Sequence, residues 1–229
     1  MKATMYGVGV GPGDPELLTV KAVRTIERCP VIATPQTKSG ATLALDIAKG
    51  VADVSEKEIV YLHFAMTRDK AVLEQSHHSA ANQIIEELEK GNDVAMLNLG
   101  DVSIYSTFNY VKPLVEEAGY TVELIPGIPT LSAVAATLKV NLTPEMNTPF
   151  HVVPAGFEDL KTALHLPGTK VIMKSGKPLA SVKQTLCEEG MYEKASLVQN
   201  CGLPDEKIAY SLDDAEENGG YYTTMVVMP

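Results

Sequence analysis

Three short apolar runs, Thr4 to Val10, Asp93 to Leu99 and Thr121 to Ile125, each give way to a tightly turned loop. The loops read Gly9-Val10-Gly11-Pro12-Gly13-Asp14-Pro15, Gly100-Asp101-Val102-Ser103-Ile104-Tyr105-Ser106-Thr107 and Pro126-Gly127-Ile128-Pro129-Thr130. Apolar runs of this length between turn signals read as buried strands. Placed in one sheet, the three would gather their loops at its carboxyl edge, where open α/β folds bind ligands.

The first half alternates such runs with longer amphipathic segments. A strand over Thr4 to Val10 leads to a helix near Pro15 to Arg28, Val31 to Ala33 to Ala41–Ala48, Ile59 to Leu62 to Lys70–Lys90, and Asp93 to Leu99 to Thr107–Glu117. This βαβα rhythm predicts a mostly parallel sheet with flanking helices. Asp14 before Pro15 suits a helix start, and Gly91 suits a helix end. On the long helix Ala80, Ile84, Ile85 and Leu88 share one face, with Glu86, Glu87 and Lys90 elsewhere.

Around Glu116 to Tyr120 the spacing predicts a turn and a domain boundary near Ala118, giving domains 1–118 and 119–229, with Thr121 to Ile125 opening a second series. That series continues with a helix over Leu131 to Leu138, strands near His151–Val153, Lys170–Met173, Ala195–Gln199 and Tyr222–Val227, and a helix near Leu179–Glu189. The last three strands lack long helical crossovers, which predicts a mixed second sheet.

The chain has 229 residues, with 19 Lys and Arg against 29 Asp and Glu, a formal charge of −10 that argues against generic binding to nucleic acid or anionic membrane. Cys29, Cys187 and Cys201 are widely spaced, so neither a disulfide framework nor a thiolate metal cluster is suggested. No apolar stretch reaches the length of a membrane span, and no secretory leader is evident. The reading is a cytoplasmic protein with no metal.

The first loop is not a dinucleotide fingerprint: its glycines alternate every second residue, and Pro12 removes an amide that a pyrophosphate cradle would use. No Walker sequence is present. In the second loop Gly100 lets backbone approach a ligand, Asp101 supplies a carboxylate, and Ile104 and Tyr105 supply apolar surface. Those features suit a ligand with ribose hydroxyls, a planar base and a positive centre. Read alone, each loop also fits a structural part, with Asp101 capping a turn, Tyr105 filling core and Thr130 capping a helix.

His77 and His78 are neighbours on a helix and point apart, which opposes a two-histidine metal site. His63 and His151 lack a partnered carboxylate at a recognisable spacing, His165 lies in a turn-like stretch, and Ser175-Gly176-Lys177 matches no hydrolase pattern. No catalytic dyad is visible. Arg68, Lys70, Lys174 and Lys177 are positive points near predicted strand ends.

Taken in order, five segments resemble the tetrapyrrole (corrin/porphyrin) methyltransferases that use S-adenosylmethionine: GVGVGPGDPELLT from Gly7, LGDVSIYSTFNY from Leu99, IPGIPTLSAVAA from Ile125, VIMK from Val171 and YYTTMVV from Tyr221. Tyr105-Ser106-Thr107 and Leu62-His63-Phe64-Ala65-Met66-Thr67-Arg68-Asp69 are most similar to the branch that methylates carbon 20 of precorrin-2 or its cobalt-bearing relative, cobalt-factor II. Val102 and Ala65 stand where relatives commonly carry proline.

The resemblance implies a two-domain α/β homodimer with the donor in the cleft between domains. It implies donor contacts at Pro12, Gly100, Asp101, Val102, Ile104, Ser106 and Thr107 on one side, and at Pro129, Thr130, Met173, Cys201 and Thr224 on the other. Arg68, Tyr105 and Lys174 are the expected contacts for a polycarboxylate macrocycle. Alternatives are another methyltransferase of the same architecture, acting on uroporphyrinogen III, a different precorrin or RNA, or a nucleotide-sensing module without turnover.

Overall fold

The computed structural model describes residues 2–156, 159–175, 178–217 and 220–229. Lys177, one of the positive points noted above, lies outside the described residues. The chain divides into two compact units, Met1–Pro129 and Thr130–Pro229.

In the first unit the elements run β1 (Thr4–Gly9), α1 (Val20–Arg28), β2 (Val31–Pro35), α2 (Leu43–Lys49), β3 (Glu58–Leu62), α3 (Lys70–Glu89), β4 (Val94–Asn98), α4 (Phe108–Glu117) and β5 (Thr121–Ile125). The five strands form one sheet in the order β3-β2-β4-β1-β5, with every pairing parallel. The expected βαβα reading of the first half is therefore met.

Because side chains alternate across a strand, near-continuous apolar runs are what a sheet covered on both faces requires. Met5, Val94 and Met96 pack into one core with Ile84 and Leu88 of α3 and Phe108, Val111 and Val115 of α4. Tyr6, Val8, Ala95 and Leu97 pack into another with Ile26 of α1 and Leu45 and Ile47 of α2. Gly7 lies on the strand between these sets. A Cβ there would stand 2.4 Å from the Phe108 ring, so the missing side chain is the space that α4 fills.

Three expectations change. The boundary expected near Ala118 moves to Pro129/Thr130, because Thr121–Ile125 pairs with β1 from Thr4↔Thr121 to Val8↔Ile125 and so completes the first sheet instead of opening the second series. The helix expected over Pro15 to Arg28 is two pieces. Asp14 caps a single 3-10 turn at Pro15–Leu17, Leu18 is extended, and Thr19 Oγ1 accepts from the Ala22 amide at 3.1 Å to start α1 afresh. Glu87, expected off the apolar face of α3, is buried there with its carboxylate bonded to Lys90 and to Asn92 Nδ2.

The second unit comprises α5 (Thr130–Leu138), β6 (Phe150–Pro154), α6 (Leu160–His165), β7 (Thr169–Met173), α7 (Leu179–Glu188), β8 (Ala195–Gln199), β9 (Lys207–Ala209) and β10 (Thr223–Val227). Its strand order is β6-β7-β10-β8-β9. β6 and β7 are parallel and the other pairings antiparallel, the mixed sheet that short connections predicted. Helix α6 and strand β9 were not foreseen; both are very short, and His165, read as turn, ends α6. Ile172, Leu197 and Met225 pack with Leu164 of α6 and Val182 and Leu186 of α7, while Val198 and Val226 pack with Val134 and Leu138 of α5.

The packing of Phe108 on Gly7 makes a direct prediction. Gly7→Ala forces the fully buried Phe108 ring to move and is expected to cost about 1–3 kcal/mol in denaturant unfolding. A stability equal to wild type would contradict the packing.

Candidate functional site

Strands β4, β1 and β5 are neighbours and point the same way, so the three glycine-containing loops do leave the sheet at one carboxyl edge. They are also bonded to one another. Gly11 and Gly100 exchange two backbone hydrogen bonds, with the Gly100 amide 2.7 Å from the Gly11 carbonyl and the Gly11 amide 3.2 Å from the Gly100 carbonyl. Asp101 joins the third loop: its Oδ2 accepts from the Gly127 amide at 2.9 Å. Its Oδ1 accepts from the Ser103 amide at 2.8 Å and from the Ser103 hydroxyl.

The backbones approach too closely for any side chain between them. A Cβ on Gly9 would stand 2.6 Å from the Gly127 nitrogen and 2.7 Å from the Gly100 carbonyl oxygen, and one on Gly127 would stand 2.2 Å from that same oxygen. Burial opposes charge on Asp101, but the bonds from Ser103 and the Gly127 amide outweigh it and hold the carboxyl below its ordinary range. Asp101 therefore does cap a turn, through Ser103, and in addition reaches across to the next loop.

The remaining loop residues take distinct parts. Val102, expected to line the donor, is 2% exposed with its side chain in the core that also holds Phe108, so burial opposes a donor contact there. Ser106 Oγ donates to Asn98 Oδ1 at 2.6 Å and accepts from the Phe108 amide at 3.1 Å, so Ser106 and not Thr107 satisfies the start of α4. Asn98 in turn donates to the Met96 carbonyl. Tyr105 does not fill core: its side chain is exposed, and its backbone sits at φ 49°, a left-handed conformation uncommon for an aromatic residue and found disproportionately at functional sites. Ile104, Thr107 and Pro129 are half-buried, and Pro12 is buried in the first loop.

In the second unit Met173 and Thr224 are cross-strand partners on β7 and β10. Thr130 is already the first residue of α5 and not the residue before it. Cys201 lies just past β8, buried, with its sulfur 3.8 Å from Thr137 Oγ1; burial pushes its thiol up to about 11, which keeps it a neutral packing group. Lys174 follows β7 at φ 61° with its ammonium 5.5 Å from the centre of the Tyr221 ring. Arg68 is exposed in the loop between β3 and α3. The expected donor residues thus form one group in each unit, and Arg68 belongs to the opposite end of the first sheet.

Two contributors were not singled out from sequence: Asn98, and Gly127 as the partner of Asp101. The signal for Asn98 was a lone amide in the otherwise apolar Val94-Ala95-Met96-Leu97-Asn98-Leu99. His77, set aside as a metal ligand, stacks on Tyr110 with ring centroids 4.4 Å apart. Among the described residues no group of three His, Cys, Asp or Glu side chains could hold a metal ion, and no helix is long and apolar enough to cross a membrane.

A model of the family Tetrapyrrole (Corrin/Porphyrin) Methylases matches residues 4–215. A probable cobalt-precorrin-2 C(20)-methyltransferase of Methanocaldococcus jannaschii is 34% identical over 197 residues, covering 86% of this chain and 77% of the relative. The cobalt-precorrin-2 C(20)-methyltransferase of Salmonella typhimurium is 28% identical over 99% of this chain and 97% of its own length. Among solved structures, uroporphyrin-III C-methyltransferase from Thermus thermophilus, complexed with S-adenosylhomocysteine, superposes with a TM-score of 0.73 at 21% identity, covering 98% of this chain and 97% of that one.

The Ser106 arrangement is testable without any ligand. Ser106→Ala strips the buried Asn98 oxygen of its donor and α4 of its first acceptor, with an expected loss of about 1–3 kcal/mol in equilibrium unfolding. No loss would mean that the Ser106 bond does not hold the loop to β4.

Proposed function

Because the chain belongs to the tetrapyrrole (corrin/porphyrin) methylase family, we propose that it transfers a methyl group from S-adenosylmethionine to carbon 20 of precorrin-2 or its cobalt-bearing counterpart, in corrin ring synthesis. The donor supplies an electrophilic methyl on a positively charged sulfur, and an electron-rich ring carbon is a competent acceptor. The protein's tasks are alignment of the two and exclusion of water. No strong acid–base dyad is needed for that, and none is visible in the loops.

The observation that carries this reading is how charge is divided along the carboxyl edge of the first sheet. At the β4-β1-β5 end, residues 9–15, 100–107 and 126–130 contain Asp14 and Asp101 and no Lys or Arg. At the β3-β2 end, Lys38 follows β2, and Arg68 and Lys70 follow β3. All three are exposed, and among the described residues none forms an ion pair. Asp69 between them is occupied as the cap of α3, accepting from the Ala71 and Val72 amides. An end without cations repels nothing from a sulfonium nucleoside and offers no charge to a phosphate. An end with unpaired cations suits the carboxylates of an acidic macrocycle.

On this reading the first-unit loops meet the donor through Pro12, Gly100, Ile104, Ser106, Thr107 and Pro129, and Thr130, Met173, Cys201 and Thr224 belong to the same proposal. Arg68, Tyr105 and Lys174 are each proposed for the macrocycle. A homodimer in the cytoplasm completes the proposal, the resemblance of the sequence motifs being its support.

The test is incubation with isotope-labelled donor and, in parallel, precorrin-2, its cobalt form and uroporphyrinogen III. Label at carbon 20 of one of the first two is expected; methylation of uroporphyrinogen III alone would overturn the substrate. Arg68→Glu and Lys38→Glu are each expected to raise the macrocycle KM about fivefold while leaving the donor KM within about twofold. Equal effects on both KM values would contradict the division of charge.

A further inference from the structure

We infer that Asp101 is a positioning residue: its carboxylate sets the spacing between the loop after β4 and the loop after β5, and through it the shape of the edge that receives the methyl donor. The inference rests on the donor reading above, and it differs from the expected direct contact in what the carboxylate touches.

Asp101 Oδ2 is committed to the Gly127 amide, and Oδ1 is committed twice to Ser103. The bond to Gly127 spans two loops whose backbones are already in contact, since Gly100 and Gly127 leave no room for a Cβ between them. Gly100 is in turn paired with Gly11 in both directions. One side chain therefore closes a three-loop block, and a change at Asp101 reaches the first and third loops without leaving the backbone.

The chemistry of the group makes the role specific. Both of its oxygens accept from N–H groups, so a carboxylate satisfies them together. An amide of the same shape has one oxygen and one NH₂, and must turn the NH₂ against either Gly127 or Ser103. Glutamate keeps both oxygens but moves them by a methylene. A carboxylate acting only as a counter-charge to a bound cation would tolerate that move better than one holding a fixed distance.

The experiment measures S-adenosylhomocysteine affinity by calorimetry and steady-state kinetics for wild type, Asp101→Asn, Asp101→Glu and Ser103→Ala, together with melting temperature and the amide spectrum of ¹⁵N-labelled protein. Asp101→Asn and Asp101→Glu are each expected to weaken binding about tenfold or more. They are expected to raise donor KM with kcat at saturating donor retained, and to shift the Gly127 amide resonance in the ligand-free protein. Ser103→Ala, which removes one bond of three, is expected to weaken binding by a smaller factor, and it carries the test if the Asp101 variants do not fold. Lower melting temperatures with unchanged donor affinity would reduce Asp101 to a stability role and overturn the inference, as would full affinity in Asp101→Glu. Wild-type protein that binds no S-adenosylhomocysteine would overturn the donor reading instead. The Gly127 resonance then judges the strut alone, and an unchanged resonance in Asp101→Asn would refute it.

Discussion

The backbones of Gly9, Gly100 and Gly127 meet at the end of the first sheet, and the surrounding architecture follows from that meeting. Three parallel strands can bring their loops this close only if no side chain intervenes and if the polar backbone groups exposed there find partners. The Gly11–Gly100 pair and the Asp101 carboxylate supply those partners. What results is a largely backbone-built edge with few side chains of its own, held in shape by hydrogen bonds and not by packing alone. A ligand that lies against such an edge meets a fixed backbone shape and no Lys or Arg of these loops. This is a fitting surface for a nucleoside and a poor one for a phosphate.

Charge adds direction to shape. In a chain carrying −10 overall, the cations Lys38, Arg68 and Lys70, which form no ion pair among the described residues, are not background; they stand at the β3-β2 end of an edge whose β4, β1 and β5 loops carry no Lys or Arg. The same topology that packs β4 between β2 and β1 separates the two kinds of loop. A cationic donor and a polyanionic acceptor can then approach one sheet from its two ends without competing for the same groups. Tyr105, exposed on strained backbone in the loop after β4, stands at the end of the edge that carries no cation.

Much of this was legible in the sequence, for identifiable reasons. Apolar runs of about five residues between turn signals located the strands, most clearly β1, β2 and β4, which are buried at nearly every position. The loops followed directly. The domain boundary was misplaced because the turn at Ala118 looks like any other: nothing local to Thr121–Ile125 says that its partner is Thr4–Gly9, and strand pairing is a long-range fact. Helix α6 and strand β9 were missed because six and three residues are too few for a period to show. The role of Asp101 was half visible. Its turn-capping bond to Ser103 is a local pattern, but its bond to Gly127 depends on β4 and β5 flanking β1, which no spacing records.

The claim on which the account turns is that the methyl donor occupies the edge built from the β4, β1 and β5 loops. Hydrogen exchange followed by mass spectrometry, with and without S-adenosylhomocysteine, reads this directly from the intact protein. The account predicts slowed exchange in the peptides spanning 9–15, 100–107 and 126–130, with the β2 and β3 loops around Lys38 and Arg68 unchanged. Protection confined to the Lys38 and Arg68 loops, with the three glycine loops exchanging as before, would contradict it.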